Sequence, residues 1–293
     1  MTSKKLRKMV DPFRVTKGRK FRLRDVDPDE SGPKGLEKDA VAILGEGISR
    51  LSELQAKLYA QDQWAVLLIF QAMDTAGKDG TIKHVMSGIN PTGVQVFSFK
   101  QPSVEELDHD FMWRCLKSLP ERGRIGIFNR SYYEETLVVR VHQDYLDAQH
   151  LPPELVTRKI WKHRFEDINA VERYLARNGV LILKFFLHVS KDEQRQRLLD
   201  RLDEPDKNWK FSVADVKERE RWADYMRTYE DMIRETASPH APWFVVPANH
   251  KWFTRIVVAN AIVDALDNLD LKLPSVTAAR RTVLKKVRKG LAG

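Results

Sequence analysis

The residues best suited to chemistry crowd into Gln71–Thr81, read QAMDTAGKDGT. An apolar run, Trp64–Phe70 (WAVLLIF), leads into a loop of small residues, Ala72–Gly77, and Lys78, Asp79 and Gly80 then open a helical pattern. Strand, small-residue loop, lysine and helix form the layout of a phosphate-binding P-loop. Free N–H groups at a helix start attract anions, and small residues let the backbone approach phosphate oxygens. Lys78 adds a point charge that reaches outer phosphates. The match to G-x-x-x-x-G-K-[ST] is incomplete, because Ala72 holds the first glycine position and Asp79 the hydroxyl position. The usual hydroxyl ligand to magnesium is therefore missing, and Thr81 stands too far along to replace it. Asp74, inside the loop, is the candidate metal carboxylate. The plain alternative is an ordinary turn with a lysine at a helix start.

A second apolar run, Arg124–Phe128 (RIGIF), ends in Asn129, Arg130, Ser131, Tyr132, Tyr133, Glu134 and Glu135. A polar side chain at the carboxyl end of a buried strand is the Walker-B layout, which reaches the magnesium shell beside the loop. A carboxylate is usual there. Asn129 binds magnesium weakly or through water, which shifts the load to Asp74. Arg130 is placed to meet a phosphate, against the plain alternative of a surface ion pair. Tyr132 and Tyr133 read first as packing residues. The charged excursion Asp203–Asp215 (DEPDKNWKFSVAD) breaks the helical pattern around it. It reads as a lid that brings cations over a transferring phosphoryl group, against an ordinary loop.

Elements of an α/β fold must position these groups. Leu36–Ala60 carries Val41, Leu44, Ile48, Leu51, Leu54 and Leu58 at helical spacing. Strands are expected at 64–70, 94–99, 124–128, 180–189 and 242–247. Helices are expected at 78–86, 103–119, 151–177, from Ser190 onward, 218–235 and 252–269. Such alternation predicts a parallel sheet with helices on both faces and ligands beyond the carboxyl strand ends. The 293 residues suit one large domain with a lid and two basic tails. These are residues 1–35, expected to be extended or partly disordered, and 271–293. Lys and Arg number 50 against 41 Asp and Glu, an excess of nine that suggests an anionic partner. The single cysteine, Cys115, reads as a buried small hydrophobe in a reducing cytoplasm. No apolar stretch reaches the length of a membrane span, and MTSKKLRKM has no apolar core of a secretory signal.

Five blocks carry a resemblance: QAMDTAGKDGTIKHV, FSFKQPSVEELDHDFMWR, GIFNRSYYEETLVVRVH, LKFFLHVSKDEQRQRLLDRLDEPDKNWKF and APWFVVPANHKWF. In this order, over about 36–269, they resemble the polyphosphate kinase 2 family. FNRSYYEE, in place of an FDRSWYN-type sequence, is similar to its class III branch, which phosphorylates nucleoside mono- and diphosphates. The resemblance implies a P-loop kinase fold, similar to thymidylate kinase, with a helical lid at about 195–220 in a domain spanning 36–270. It implies reversible, Mg2+-dependent transfer of the terminal phosphoryl group of inorganic polyphosphate to AMP or ADP, ending in ATP. Asp74, Lys78, Asn129 and Arg130 would be catalytic, with Asp74 and Asn129 toward the metal. Ala76, Gly77, Asp79, Gly80, Lys83, Tyr133 and Glu134 would bind nucleotide or phosphate. Arg197, Arg201, Lys207 and Lys210 would be lid contacts to phosphate. Assembly as a homodimer or homotetramer would follow the family, with no specific nucleic acid and no membrane among the partners. The rivals are a kinase restricted to nucleoside diphosphates, an ATP-dependent small-molecule kinase, and a nucleic-acid-binding module with an inert P-loop. No nucleic-acid motif supports the last.

Overall fold

A computed structural model describes residues 3–292. Six strands form one sheet: β1 (Arg14–Val15), β2 (Ala65–Ala72), β3 (Val94–Ser98), β4 (Ile125–Asn129), β5 (Val180–His188) and β6 (Trp243–Pro247). Their order is β1-β6-β5-β2-β4-β3, parallel throughout except for β1, which pairs antiparallel with β6. Every residue of β2 is buried, as its unbroken apolar run requires of a strand covered on both faces. From β2 the chain builds first toward β4 and β3, then returns to build toward β5 and β6. The reversal opens a crevice at the carboxyl end of β2. Phe70 pairs with Asn129, and Asn129 with Ser98, so three strands end together at that crevice.

The helix Ala40–Gln61 buries Ile43, Gly47, Leu51, Leu54 and Leu58. Val41 lies off this face and is 87% exposed, which corrects the stripe drawn through it. The helix expected over 151–177 begins late, at Ile160, because Pro152 and Pro153 open a short turn instead. The helix expected over 103–119 is two short pieces, Val104–Leu107 and Trp113–Leu116, the first closed by a Ser103–Glu106 capping box. Cys115 is fully buried there, and burial pushes its thiol up to about 12.

The basic N-terminal segment differs from the extended arm expected. Ser3–Val10 is helical, and Leu6, Val10, Phe13 and Leu23 are buried. Phe13 meets Phe253 edge to face at 5.9 Å. Its lysines and arginines dominate the composition, but its few apolar residues return at positions that one docked face can bury. The segment read as a lid, about 195–220, folds as the end of Lys191–Asp203, a tight turn at Pro205–Lys210 and Val213–Glu220, before Trp222–Thr236 returns to the body. Ala278–Ala292 is an exposed basic helix. Among the described residues no helix is long and apolar enough to cross a membrane.

Candidate active site

The loop between β2 and the helix Lys78–Val85 is clamped from the helix Lys191–Asp203. Gly77 caps that helix at φ 102°, a left-handed conformation that glycine adopts without a Cβ penalty. Arg197, with a side chain only 5% exposed, sits behind it. One guanidinium nitrogen donates to the carbonyls of Thr75 (3.2 Å) and Ala76 (3.0 Å), the other to those of Ala248 (2.6 Å) and Asn249 (2.9 Å). Its Nε donates to Glu193 at 2.7 Å. Every nitrogen of the fork is therefore committed to holding loop and neighbouring strand end together. Arg197, expected as a phosphate contact, lines the cleft behind the loop, with its guanidinium nitrogens bonded to the loop and to the residues after β6. Gln194, on the same helix, adds a bond from Nε2 to the Asp74 carbonyl at 3.1 Å.

Lys78 is buried at the carboxyl end of β2, and its Nζ donates to the carbonyl of Ala72 (2.8 Å) and to that of Met73 (3.4 Å). Burial lowers its pKa, nearby Arg130 adds to this, and Asp74, Glu134 and Asp79 oppose it. Arg130 follows β4 in a left-handed conformation, φ 64°. It donates to Asp74 at 2.8 Å and to Glu134 at 3.4 Å. Glu134 and then Asp74 hold its charge above the ordinary arginine range, against desolvation. Glu134 itself is pushed up by burial, with Arg130 and Lys78 pulling it back. Asn129 donates from Nδ2 to Asp79 at 2.7 Å and, more weakly, to Ser98 Oγ at 3.5 Å.

Two clefts meet over these residues. One, of about 460 Å³, lies over the loop and is lined by Asp74, Gly77, Lys78, Asp79, Gly80, Asn129, Arg130 and Arg201, among others. The other, of about 250 Å³, carries a more apolar wall of Leu107, Val138, Val139 and Tyr225, with Glu134, Glu135 and Gln149. Both share Asp74, Phe99, Lys100 and Arg130. A third cleft of about 290 Å³ continues behind the loop past Ala76, Arg201, Lys251 and Arg255. Arg201 pairs with Asp215 of the helix Val213–Glu220 at 3.2 Å, and burial, then the charge of Asp74, raises the Asp215 pKa.

Two expected residues stand elsewhere. Tyr133 is wholly buried beneath the site, where its hydroxyl donates to Glu172 (2.7 Å) and accepts from Lys184 (2.9 Å). It has no face to offer a nucleobase, because this buried ion pair claims its polar end. Lys83 is exposed on its helix and lines none of the three clefts. The side chains of Lys207 and Lys210 lie outside the described residues. Conversely, sequence reasoning missed Ser98, Phe99 and Lys100. Ser98 ends β3 and Phe99 and Lys100 follow it, and the parallel pairing of β3 with β4 puts that end in the crevice.

The donor set fits a magnesium ion that arrives with phosphates. Such an ion needs one or two protein carboxylates and takes its other ligands from phosphate and water. Asp74, Asp79 and Asn129 share the first cleft, whereas the described residues hold no group of three His, Cys, Asp or Glu able to cage a metal unaided.

The model of the family described as Polyphosphate kinase 2 (PPK2) matches residues 37–274. The chain is 51% identical over 284 residues to the ADP-polyphosphate phosphotransferase of Rhodopseudomonas palustris, covering 95% of this chain and 97% of that protein. It is 44% identical over 278 residues to the AMP/ADP-polyphosphate phosphotransferase of Meiothermus ruber, covering 93% and 99%. Its fold is that of the crystal structure of Polyphosphate Kinase 2 from Arthrobacter aurescens, with a TM-score of 0.84 at 41% identity over 93% of this chain and 95% of that one. A P-loop crevice at the reversal point of the sheet, a family model matched over most of the chain, and relatives matched over nearly their whole length lead to one assignment: the chain belongs to the polyphosphate kinase 2 family.

Proposed function

We propose that the protein transfers the terminal phosphoryl group of inorganic polyphosphate to AMP, giving ADP, and to ADP, giving ATP, reversibly and with Mg2+. The observation that carries this reading is the pair of clefts that share Asp74 and Arg130. A donor over the loop and an acceptor in the more apolar cleft would present their phosphates to each other there. In each cycle the bond joining the chain's last phosphorus to its bridging oxygen breaks. A new bond forms from that phosphorus to an oxygen of the nucleotide's outer phosphate. That oxygen is already ionised at neutral pH, so the protein supplies alignment and positive charge rather than a base. Lys78 and Arg130 neutralise the phosphates, Arg201 covers them from the lid, and Arg197 holds the loop. Mg2+, when bound, spreads the charge of the transferring oxygens. The third cleft behind the loop, with Arg201 and Arg255, gives the remaining polyphosphate a path.

Glu134 stands in the acceptor cleft and matches the acidic residue of the class III branch, which supports AMP as acceptor. The restriction to ADP is the second reading, favoured by the name of the Rhodopseudomonas palustris relative, an ADP-polyphosphate phosphotransferase. Assembly as a dimer or tetramer and a cytoplasmic site of action belong to the same proposal. Sedimentation and fractionation test those two parts.

The deciding experiment combines protein, Mg2+, polyphosphate and AMP without ATP, followed by chromatography of adenine nucleotides. ADP and then ATP support the proposal. Product from ADP but never from AMP supports the second reading. No product from either acceptor, with product once ATP is the donor, overturns both.

A further inference from the structure

Two positions of the phosphate cleft carry chemistry exchanged relative to a standard P-loop. In P-loop nucleoside triphosphatases a Ser or Thr after the lysine and an Asp at the second strand's end hold the magnesium between them. Here the residue after Lys78 is the acid, Asp79, and the strand end is the neutral Asn129. The two are in contact, since Asn129 Nδ2 donates to Asp79 Oδ1 at 2.7 Å. The orientation of that amide is forced by chemistry. An ionised carboxylate only accepts, so Nδ2 must face it and the Asn129 carbonyl oxygen must turn away. Asp79 also stands in the first turn of the helix Lys78–Val85, where a negative charge is favoured. Both side chains line the same cleft as Asp74, and Asp74 already engages Arg130 at 2.8 Å.

We infer that the metal-shell carboxylate has crossed the cleft: Asp79 supplies it from the helix, and Asn129 is the neutral donor that fixes its position. The inference rests on the phosphotransfer reading for the identity of the metal's companions, but the exchange is a property of the pair. An aspartate at 129 would set a second carboxylate against Asp79 at hydrogen-bond distance, with no N–H left to donate between them. The two positions are therefore coupled, and only a double exchange restores one acid and one neutral partner.

The test compares wild type, Asp79→Asn, Asn129→Asp and the double exchange, all freed of metal. Mn2+ alone is titrated against each and its free signal followed by electron paramagnetic resonance. Melting is recorded in EDTA and again with Mg2+. Asp79→Asn is expected to weaken Mn2+ binding about tenfold, the scale of losing a group that orients or completes a metal shell. Asn129→Asp is expected to melt below wild type in EDTA and to recover with Mg2+. The double exchange is expected to return Mn2+ affinity to within about threefold of wild type, as coupled neighbours rather than additive sites do. Asp79→Asn within about twofold of wild type, or a double exchange that binds Mn2+ no better than Asp79→Asn alone, overturns the inference. The same preparations are assayed with polyphosphate and AMP or ADP. A wild type inert with both acceptors would overturn the functional proposal and leave the Mn2+ comparison to judge the pair. An active wild type with an indifferent Asp79→Asn would overturn the pair alone.

Discussion

Replacing Arg197 separates two roles that one guanidinium could play. If it holds the loop, its loss must be felt by the fold before any substrate is present. It donates to Glu193 and to the carbonyls of Thr75, Ala76, Ala248 and Asn249, and its side chain is 5% exposed. A hydrogen bond from a charged group is worth about 1.5–3 kcal/mol. The bonds share one charge and do not add, and removing one partner of a buried ionic network costs about 3–5 kcal/mol. Arg197→Ala should therefore cost about 4 kcal/mol, which lowers the melting temperature on the order of 10 °C in a domain of this size. Arg197→Lys keeps the charge but offers three donors from one point in place of a planar fork. It should lose roughly half as much. Melting is followed by circular dichroism without ligands, and kcat and KM for polyphosphate are measured beside it. Both variants should lose activity together with stability, in that order of severity. If Arg197→Ala melts like wild type and yet fails to turn over, the clamp is refuted and Arg197 is a phosphate contact.

Three further outcomes are expected. Lys78→Ala should abolish transfer without lowering the melting temperature, since it removes an ammonium group that burial already disfavours; normal turnover by a folded variant would remove Lys78 from the site. Tyr133→Phe should cost about 1–3 kcal/mol by stripping a buried partner from Glu172 and Lys184. Its KM for AMP should hold, and a raised KM with unchanged melting would instead make Tyr133 a nucleotide contact. Burial holds the His188 imidazole down at about 4 against an ordinary 6.5. The unfolded chain takes up that proton first, so stability rises with pH across this interval and is lost as pH falls through it. Two and a half pH units at about 1.4 kcal/mol each make this roughly 3–4 kcal/mol. His188→Gln should flatten the acid limb of the melting-temperature profile, and an unchanged limb would assign acid loss to other groups.

Local patterns announced the parallel sheet, the loop and the strand end at Asn129, because each rests on neighbours in sequence. An unbroken apolar run specifies a strand buried on both faces, and the small residues before Lys78 specify close backbone approach. The role of Arg197 was not legible in this way. Its loop partners lie about 120 residues away in the chain, and nothing near Arg197 marks it as anything but a lid cation. Tyr133 misled for a similar reason. Its burial depends on Glu172 and Lys184, charged residues within elements that periodicity alone would not pair. Ser98–Lys100 became visible only with the order of the strands, which places β3 beside β4 and its end in the crevice. In the N-terminal segment, charge hid a thin but regular apolar face at Leu6, Val10 and Phe13.

The central claim is that the cleft over Lys78 moves a phosphoryl group from polyphosphate to AMP. Phosphorus NMR of wild type and Lys78→Ala, each with Mg2+, polyphosphate and AMP and no ATP, tests it most directly. The account predicts that the wild-type sample loses AMP signal as the β-phosphate resonance of ADP grows, while the Lys78→Ala sample stays unchanged. A wild type that transfers only when ATP is supplied, or a folded Lys78→Ala protein that keeps pace with it, would contradict the account.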